Sequence, residues 1–323
     1  MTSKPVILVS RKLPPAVEAR AARDFDARLN TEDTLYAQAE LLSAAAESGA
    51  EGLLICPTDK LDARFIANLP DAVIIAASFS VGFDHIDLAA AQARGLMVTN
   101  TPDVLTDATA DCAMLLLLGA ARRASEGERM MRAGSWGIWG PTAMLGTQVT
   151  GKRLGIFGMG RIGRALAQRA RGFEMEIHYH DIAPLADDLA QGATYHAEAD
   201  GLLAVSDFLS LHCPSTPETR SWVNAERIAR MPDGAIVVNS ARGDIVDDGA
   251  LIAALKSGKL AAAGLDVYHG EPDVHPGYRE LENTFLLPHM GSGTRETRDA
   301  MGFRALDNLG TFFAGQTPGD ALT

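Results

Sequence analysis

The chain has 323 residues and a mass of 34.2 kDa. At about 150 residues per domain it is near two domains, which excludes one very small domain and a large multidomain assembly. With 47% hydrophobic and 22% charged residues it can bury a sizeable core, unlike a disordered chain, and its formal charge of −12 (29 Lys and Arg against 41 Asp and Glu) repels phosphate backbones and speaks against nucleic acid as a partner.

Along the chain, Met1-Thr-Ser-Lys-Pro5 leads straight into Val6-Ile-Leu-Val9, without the apolar stretch and cleavage site of a secretory leader. Short apolar runs then recur between helical stretches, at 52–55, 73–75, 97–98, 154–157, 176–179, 208–211, 235–238, 263–266 and 285–287. Continuous apolar strands of this kind are buried on both faces, which predicts parallel sheets covered by helices and an α/β fold. A change of texture at Thr99-Asn-Thr-Pro102 precedes one long helix, expected from about 106 through 133 on its Ala, Leu, Met and Arg content. The longest apolar run, 112–121, lies between Asp111 and Arg122 and is too short for the roughly 20 residues of a membrane span, so no membrane partner is expected. Cys56, Cys112 and Cys213 are too few and too widely spaced for a disulfide framework or a CxxC metal site, which makes a reducing cytoplasm the expected home.

The sharpest motif is Gly158-Met-Gly160-Arg161-Ile162-Gly163, directly after a predicted strand and opening a predicted helix. Glycine serves three purposes in such a loop: a tight turn, close approach of the backbone to a pyrophosphate, and close helix–strand packing. The helix N-terminus then offers N–H groups to the anion. The next strand ends near Asp181, about where an acidic residue accepts from the adenosine ribose, at a spacing of roughly 20 residues. A carboxylate there repels a 2′-phosphate, and Ile182 rather than an arginine follows, so NAD is expected over NADP. His178 and His180 flank this position without a further ligand cluster, and no metal is expected.

Three later residues stand in distinctive settings: Arg242 in Asn239-Ser-Ala-Arg-Gly-Asp244, Glu271 before Pro272, and His289 in Leu286-Leu-Pro-His-Met-Gly-Ser-Gly-Thr294. Singly they read as an exposed arginine, a turn glutamate and a loop histidine. Other segments join them: Phe79-Ser-Val-Gly-Phe-Asp-His-Ile-Asp87, Val98-Thr-Asn-Thr-Pro102, Leu105-Thr-Asp-Ala-Thr-Ala-Asp111 and His212-Cys-Pro-Ser-Thr-Pro-Glu-Thr219. With the glycine loop, these segments resemble the D-isomer-specific 2-hydroxyacid dehydrogenase family over essentially the whole chain. Ser80–Asp87 and Gly134-Ser-Trp-Gly-Ile-Trp-Gly-Pro141 resemble its glyoxylate and hydroxypyruvate reductase branch.

The resemblance implies two doubly wound parallel-sheet domains: a Rossmann NAD-binding domain at 101–287, inserted into a flavodoxin-like substrate-binding domain at 1–100 plus 288–323. It implies a homodimer, with 127–149 in the dimer arm. Trp136 and Trp139 have two readings there, packing of the arm or a side chain at the mouth of an active site. It also implies transfer of a hydride between NAD(H) and a small 2-oxo acid, glyoxylate or hydroxypyruvate foremost. His289 would exchange the proton, Glu271 would orient it and favour its charged form, and Arg242 would hold the substrate carboxylate and keto oxygen. The backbone at Val81 and Gly82 would hold the carboxylate's other side, Asp266 the nicotinamide carboxamide, and Pro214, Ala241 and Gly291 the nicotinamide end. Two alternatives remain: a dehydrogenase for another 2-oxo acid, and an NADH-sensing, corepressor-like binding protein of the same fold.

Overall fold

A computed structural model describes residues 4–323. Met1, Thr2 and Ser3, part of the stretch behind the expectation of no leader, lie outside the described residues. The chain forms two compact units, one from residues up to 105 together with Gly293–Thr323, the other Thr106–Ser292. Both divides fall a little later than the expected 100 and 287. At the second divide the cause is local: the His289 N–H donates to the Asp266 carbonyl at 2.8 Å, which fastens the histidine turn to the inserted unit.

The first unit carries a five-stranded parallel sheet of β1 (Val6–Val9), β2 (Asp26–Arg28), β3 (Gly52–Ile55), β4 (Ile75–Ser78) and β5 (Met97–Thr99), in the order β2-β1-β3-β4-β5. Every residue of β3 and β4 is buried, as continuous apolar strands require. The run expected at 73–75 enters its strand only at Ile75, because the Val73 N–H first closes a turn onto the Pro70 carbonyl at 3.0 Å.

The second unit carries a seven-stranded parallel sheet. Its strands are β6 (Arg153–Phe157), β7 (Glu176–His180), β8 (Thr194–Tyr195), β9 (Phe208–Leu211), β10 (Ala235–Asn239), β11 (Leu260–Leu265) and β12 (Thr284–Leu286), in the order β12-β11-β10-β9-β6-β7-β8. The short, partly polar edge strands β2 and β8 carry no apolar run, and the sequence does not announce them. β11 begins and ends earlier than expected, which leaves Asp266 just beyond it.

The expected single helix at 106–133 is instead two, Thr106–Ala121 and Ala124–Arg132. The Ala121 carbonyl accepts from the Thr147 N–H at 2.8 Å, and Arg123 adopts φ +54°, a left-handed conformation that ends a helix. Arg123 then pairs with Glu126 at 2.7 Å in the first turn of the second helix, where an acidic side chain suits the helix dipole. Among the described residues no helix is long and apolar enough to cross a membrane.

Candidate functional site

In the second unit the sequence-predicted residues fall at one end of one sheet. Gly158 follows β6, Asp181 follows β7, Pro214 follows β9, Ala241 and Arg242 follow β10, Asp266 and Glu271 follow β11, and His289 and Gly291 follow β12. Parallel strands put all these positions at their carboxyl ends, where doubly wound sheets bind ligands. The glycine loop sits where strand order reverses, since β6 continues to β7 on one side and meets β9 on the other.

Each glycine of the loop meets a different constraint. Gly158 has φ +96°, and a Cβ there would come within 2.6 Å of the Cys213 nitrogen, so the turn excludes a side chain. Gly160 has open space above it, leaving its backbone accessible, and a Cβ on Gly163 would overlap the Gly158 carbonyl. The helix Arg161–Arg171 starts at Gly160 without a side-chain cap, and Arg161 and Ile162 form its first turn, so the helix N-terminus at this loop suits an anion. These features fit a dinucleotide pyrophosphate. The Asp181 carboxylate accepts from the Met159 N–H at 2.7 Å and the Ile182 N–H at 2.8 Å, an arrangement no sequence signal announced. Ser240 Oγ, buried and without a hydrogen-bond partner, directly precedes Ala241.

The structure brings Glu271 and His289 together: Glu271 Oε2 lies 2.6 Å from His289 Nδ1. If Nδ1 carries the proton of this contact, Nε2 is the ring nitrogen left to exchange a proton with a ligand. Burial alone would push the Glu271 carboxyl up. The hydrogen bond and charge of His289, the Tyr268 N–H and the Arg242 charge together outweigh it and hold Glu271 below the usual range. Arg242 is set by Asn239, whose amide donates to the Arg242 carbonyl at 2.8 Å and accepts from the Ala241 N–H at 3.0 Å.

The His289 turn has a second support that sequence reasoning missed. His289 adopts φ +51°, uncommon for a non-glycine residue. The buried Asp266 holds it there, with Oδ1 accepting from the Met290 N–H at 2.7 Å and Oδ2 from the Gly291 N–H at 2.8 Å. Burial raises the Asp266 carboxyl despite those two bonds. His212 is no rival proton donor, because burial holds it down to about 4 and leaves it uncharged at neutral pH.

The histidines near Asp181 serve packing. His178 Nδ1 lies 3.0 Å from His196 Nε2, and the His180 ring lies parallel to Phe157 at 5.5 Å. Among the described residues no group of three or more His, Cys, Asp or Glu could hold a metal ion. In the first unit, Val81 and Gly82 follow β4 on a partly exposed turn.

Comparison with known proteins accords with this geometry. Residues 114–291 match the NAD-binding domain model of the D-isomer-specific 2-hydroxyacid dehydrogenases. The chain is 45% identical to a glycerate dehydrogenase from Hyphomicrobium methylovorum over 322 residues, 99% of each chain. It is 39% identical to a glyoxylate reductase from Thermococcus litoralis, over 98% of this chain and 96% of that one. It also superposes, with a TM-score of 0.94 and 47% identity, on the crystal structure of a putative D-isomer-specific 2-hydroxyacid dehydrogenase from a Polaromonas species, covering 99% of this chain and 100% of that one.

Proposed function

Because the chain belongs to the D-isomer-specific 2-hydroxyacid dehydrogenases, NAD(P)-dependent oxidoreductases of small hydroxy acids, we propose that it reduces glyoxylate or hydroxypyruvate with NADH, with Arg242, Glu271 and His289 as its catalytic group. The observation that carries this reading is the 2.6 Å contact of Glu271 and His289 at the carboxyl end of the sheet that bears the glycine loop.

When bound, the nicotinamide supplies a hydride to the keto carbon. The protein then has to deliver one proton to the oxygen that becomes a hydroxyl. His289, as imidazolium, gives that proton from Nε2, and in oxidation its neutral form takes it back. Glu271 keeps the ring oriented through its contact with Nδ1. Arg242 presents a permanent forked cation that holds the carboxylate and polarises the keto oxygen. In the first unit, the backbone N–H groups of Val81 and Gly82 are donors for a substrate carboxylate. Gly158, Gly160, Arg161, Ile162 and Gly163 hold the pyrophosphate, Pro214, Ala241, Asp266 and Gly291 line the nicotinamide end, and Asp181 reads the ribose and favours NADH.

The protein works as a homodimer in a reducing cytoplasm. Supporting this, Met131, Trp136, Ile138, Trp139 and Leu145 leave an apolar stretch exposed in the arm, and the cysteines are free thiols. Sedimentation of the Trp136→Ala, Trp139→Ala double variant tests the arm, and a retained dimer would remove it from the interface. Initial rates of NADH and NADPH oxidation with glyoxylate, hydroxypyruvate, pyruvate and phenylpyruvate test the activity. We expect turnover with glyoxylate and hydroxypyruvate, preference for NADH, and loss in Arg242→Ala and His289→Ala. Saturable NADH binding without turnover of any 2-oxo acid would overturn the reading in favour of a sensor.

A further inference from the structure

We propose that a one-way chain of hydrogen bonds, from His85 through Ser78 and Ser80 to the Gly82 carbonyl, holds the turn after β4 as a three-donor cradle for the substrate carboxylate, with the Phe83 N–H as its third donor. This rests on the reading of Val81 and Gly82 as carboxylate-binding positions and assigns the residues that shape them.

Three consecutive carbonyls of this turn are occupied. Ser80 O accepts from the Thr101 N–H at 2.8 Å, Val81 O from the Asn100 amide at 2.8 Å, and Gly82 O from the Ser80 hydroxyl at 2.6 Å. Asn100 is itself fixed, because the Asn308 amide donates to its carbonyl at 3.0 Å. In a trans peptide the N–H points opposite to the C=O of the same unit. Tying these carbonyls down therefore turns the N–H groups of Val81, Gly82 and Phe83 the other way. None of the three meets a protein acceptor among the described residues. A row of such N–H groups is an anion-binding concavity.

The direction of the chain follows from counting protons. A carbonyl can only accept, so the single hydroxyl proton of Ser80 goes to Gly82 O. Ser78 Oγ lies 2.6 Å from Ser80 Oγ and must donate to it. The Ser78 proton is then committed, and His85 Nε2, 3.2 Å from Ser78 Oγ, must donate in turn. Ser78 and Ser80 are buried, so water does not readily substitute for either hydroxyl.

The test measures KM for glyoxylate, Ki for oxamate, KM for NADH and thermal stability in the full chain. Ser80→Ala should raise the glyoxylate KM and the oxamate Ki together by about tenfold, leave the NADH KM in place, and be reversed in Ser80→Thr. Phe83→Pro, which deletes an N–H, should raise both constants more than Phe83→Ala does. Unchanged glyoxylate KM and oxamate Ki in folded Ser80→Ala would overturn the relay, and equal effects of the two Phe83 variants would remove the third donor. Should Ser80→Ala fail to fold, Ser78→Ala decides: a rise of roughly threefold in glyoxylate KM supports the chain, and none overturns it. A wild-type protein that turns over no 2-oxo acid would instead overturn the proposed function, a result distinct from all of these.

Discussion

Replacing Glu271 by glutamine keeps an oxygen and a similar shape beside His289 while removing the charge. The contact is short, 2.6 Å between Oε2 and Nδ1. Charge-assisted hydrogen bonds contribute roughly 1.5–3 kcal/mol against roughly 0.5–1.5 for neutral ones. The His289 side chain is 49% exposed and that of Glu271 31%, so solvent screening favours the low end of the difference. About 1 kcal/mol, or roughly fivefold, of the strength of this contact is then lost. Glu271 is held below the usual carboxylate range, so its charge is present throughout the working pH range and the full effect is felt there. If His289 gives the proton of reduction, the lost hydrogen-bond strength is lost from the orientation of the proton donor. In Glu271→Gln kcat/KM for the 2-oxo acid should therefore fall about fivefold at neutral pH, with the NADH KM in place. Initial rates at saturating NADH measure this. An unchanged kcat/KM in the folded variant would refute the role of the charge.

Arg242→Lys keeps the cation but loses the fork, and kcat/KM for the 2-oxo acid should fall roughly a hundredfold, with NADH binding by fluorescence titration little altered. Gly163→Ala forces a Cβ onto the Gly158 carbonyl and to 3.1 Å from Ile156 Cγ2, so NADH affinity should drop by at least about tenfold while the glyoxylate KM, taken at saturating NADH, changes less. Asp207 is held below the usual carboxylate range chiefly by its hydrogen bond to the Arg153 guanidinium, 2.7 Å away. A depressed carboxyl stabilises the fold above its unfolded value, near 4, and that contribution disappears as pH falls through the folded value. Screening at the partly exposed Arg153 leaves about 1 kcal/mol. Asp207→Asn should therefore melt about 2–4 °C lower at pH 7, with the gap closing in acid; a gap independent of pH would contradict the assignment.

The strands most legible in the sequence are those whose burial leaves no alternative. Phe208–Leu211 is buried at every residue and falls where its apolar run predicts. Thr194–Tyr195, at the sheet edge, carries one exposed residue and one partly buried one, and nothing in its pattern distinguishes it from a loop. The helix break at Ala121 was illegible because its cause, the Thr147 N–H, lies far along the chain. The glycine loop was legible because backbone geometry demands glycine at two of its positions. Arg242, Glu271 and His289 stood out only through the family resemblance, since no local pattern links a glutamate before proline to a histidine 18 residues on. The Asp266 support of the histidine turn was hidden for the same reason: a single buried aspartate after a strand does not say which N–H groups it will meet.

The Asp181 carboxylate, held by the Met159 and Ile182 N–H groups, has a consequence for redesign. The side chain that would discriminate against a 2′-phosphate also props the peptide between Gly158 and Gly160. If Asp181 sets the cofactor preference, that preference and the shape of the phosphate loop are one heritable trait rather than two. A successful exchange to NADPH would have to leave an acceptor for Met159 in place, which favours asparagine or serine over alanine at this position.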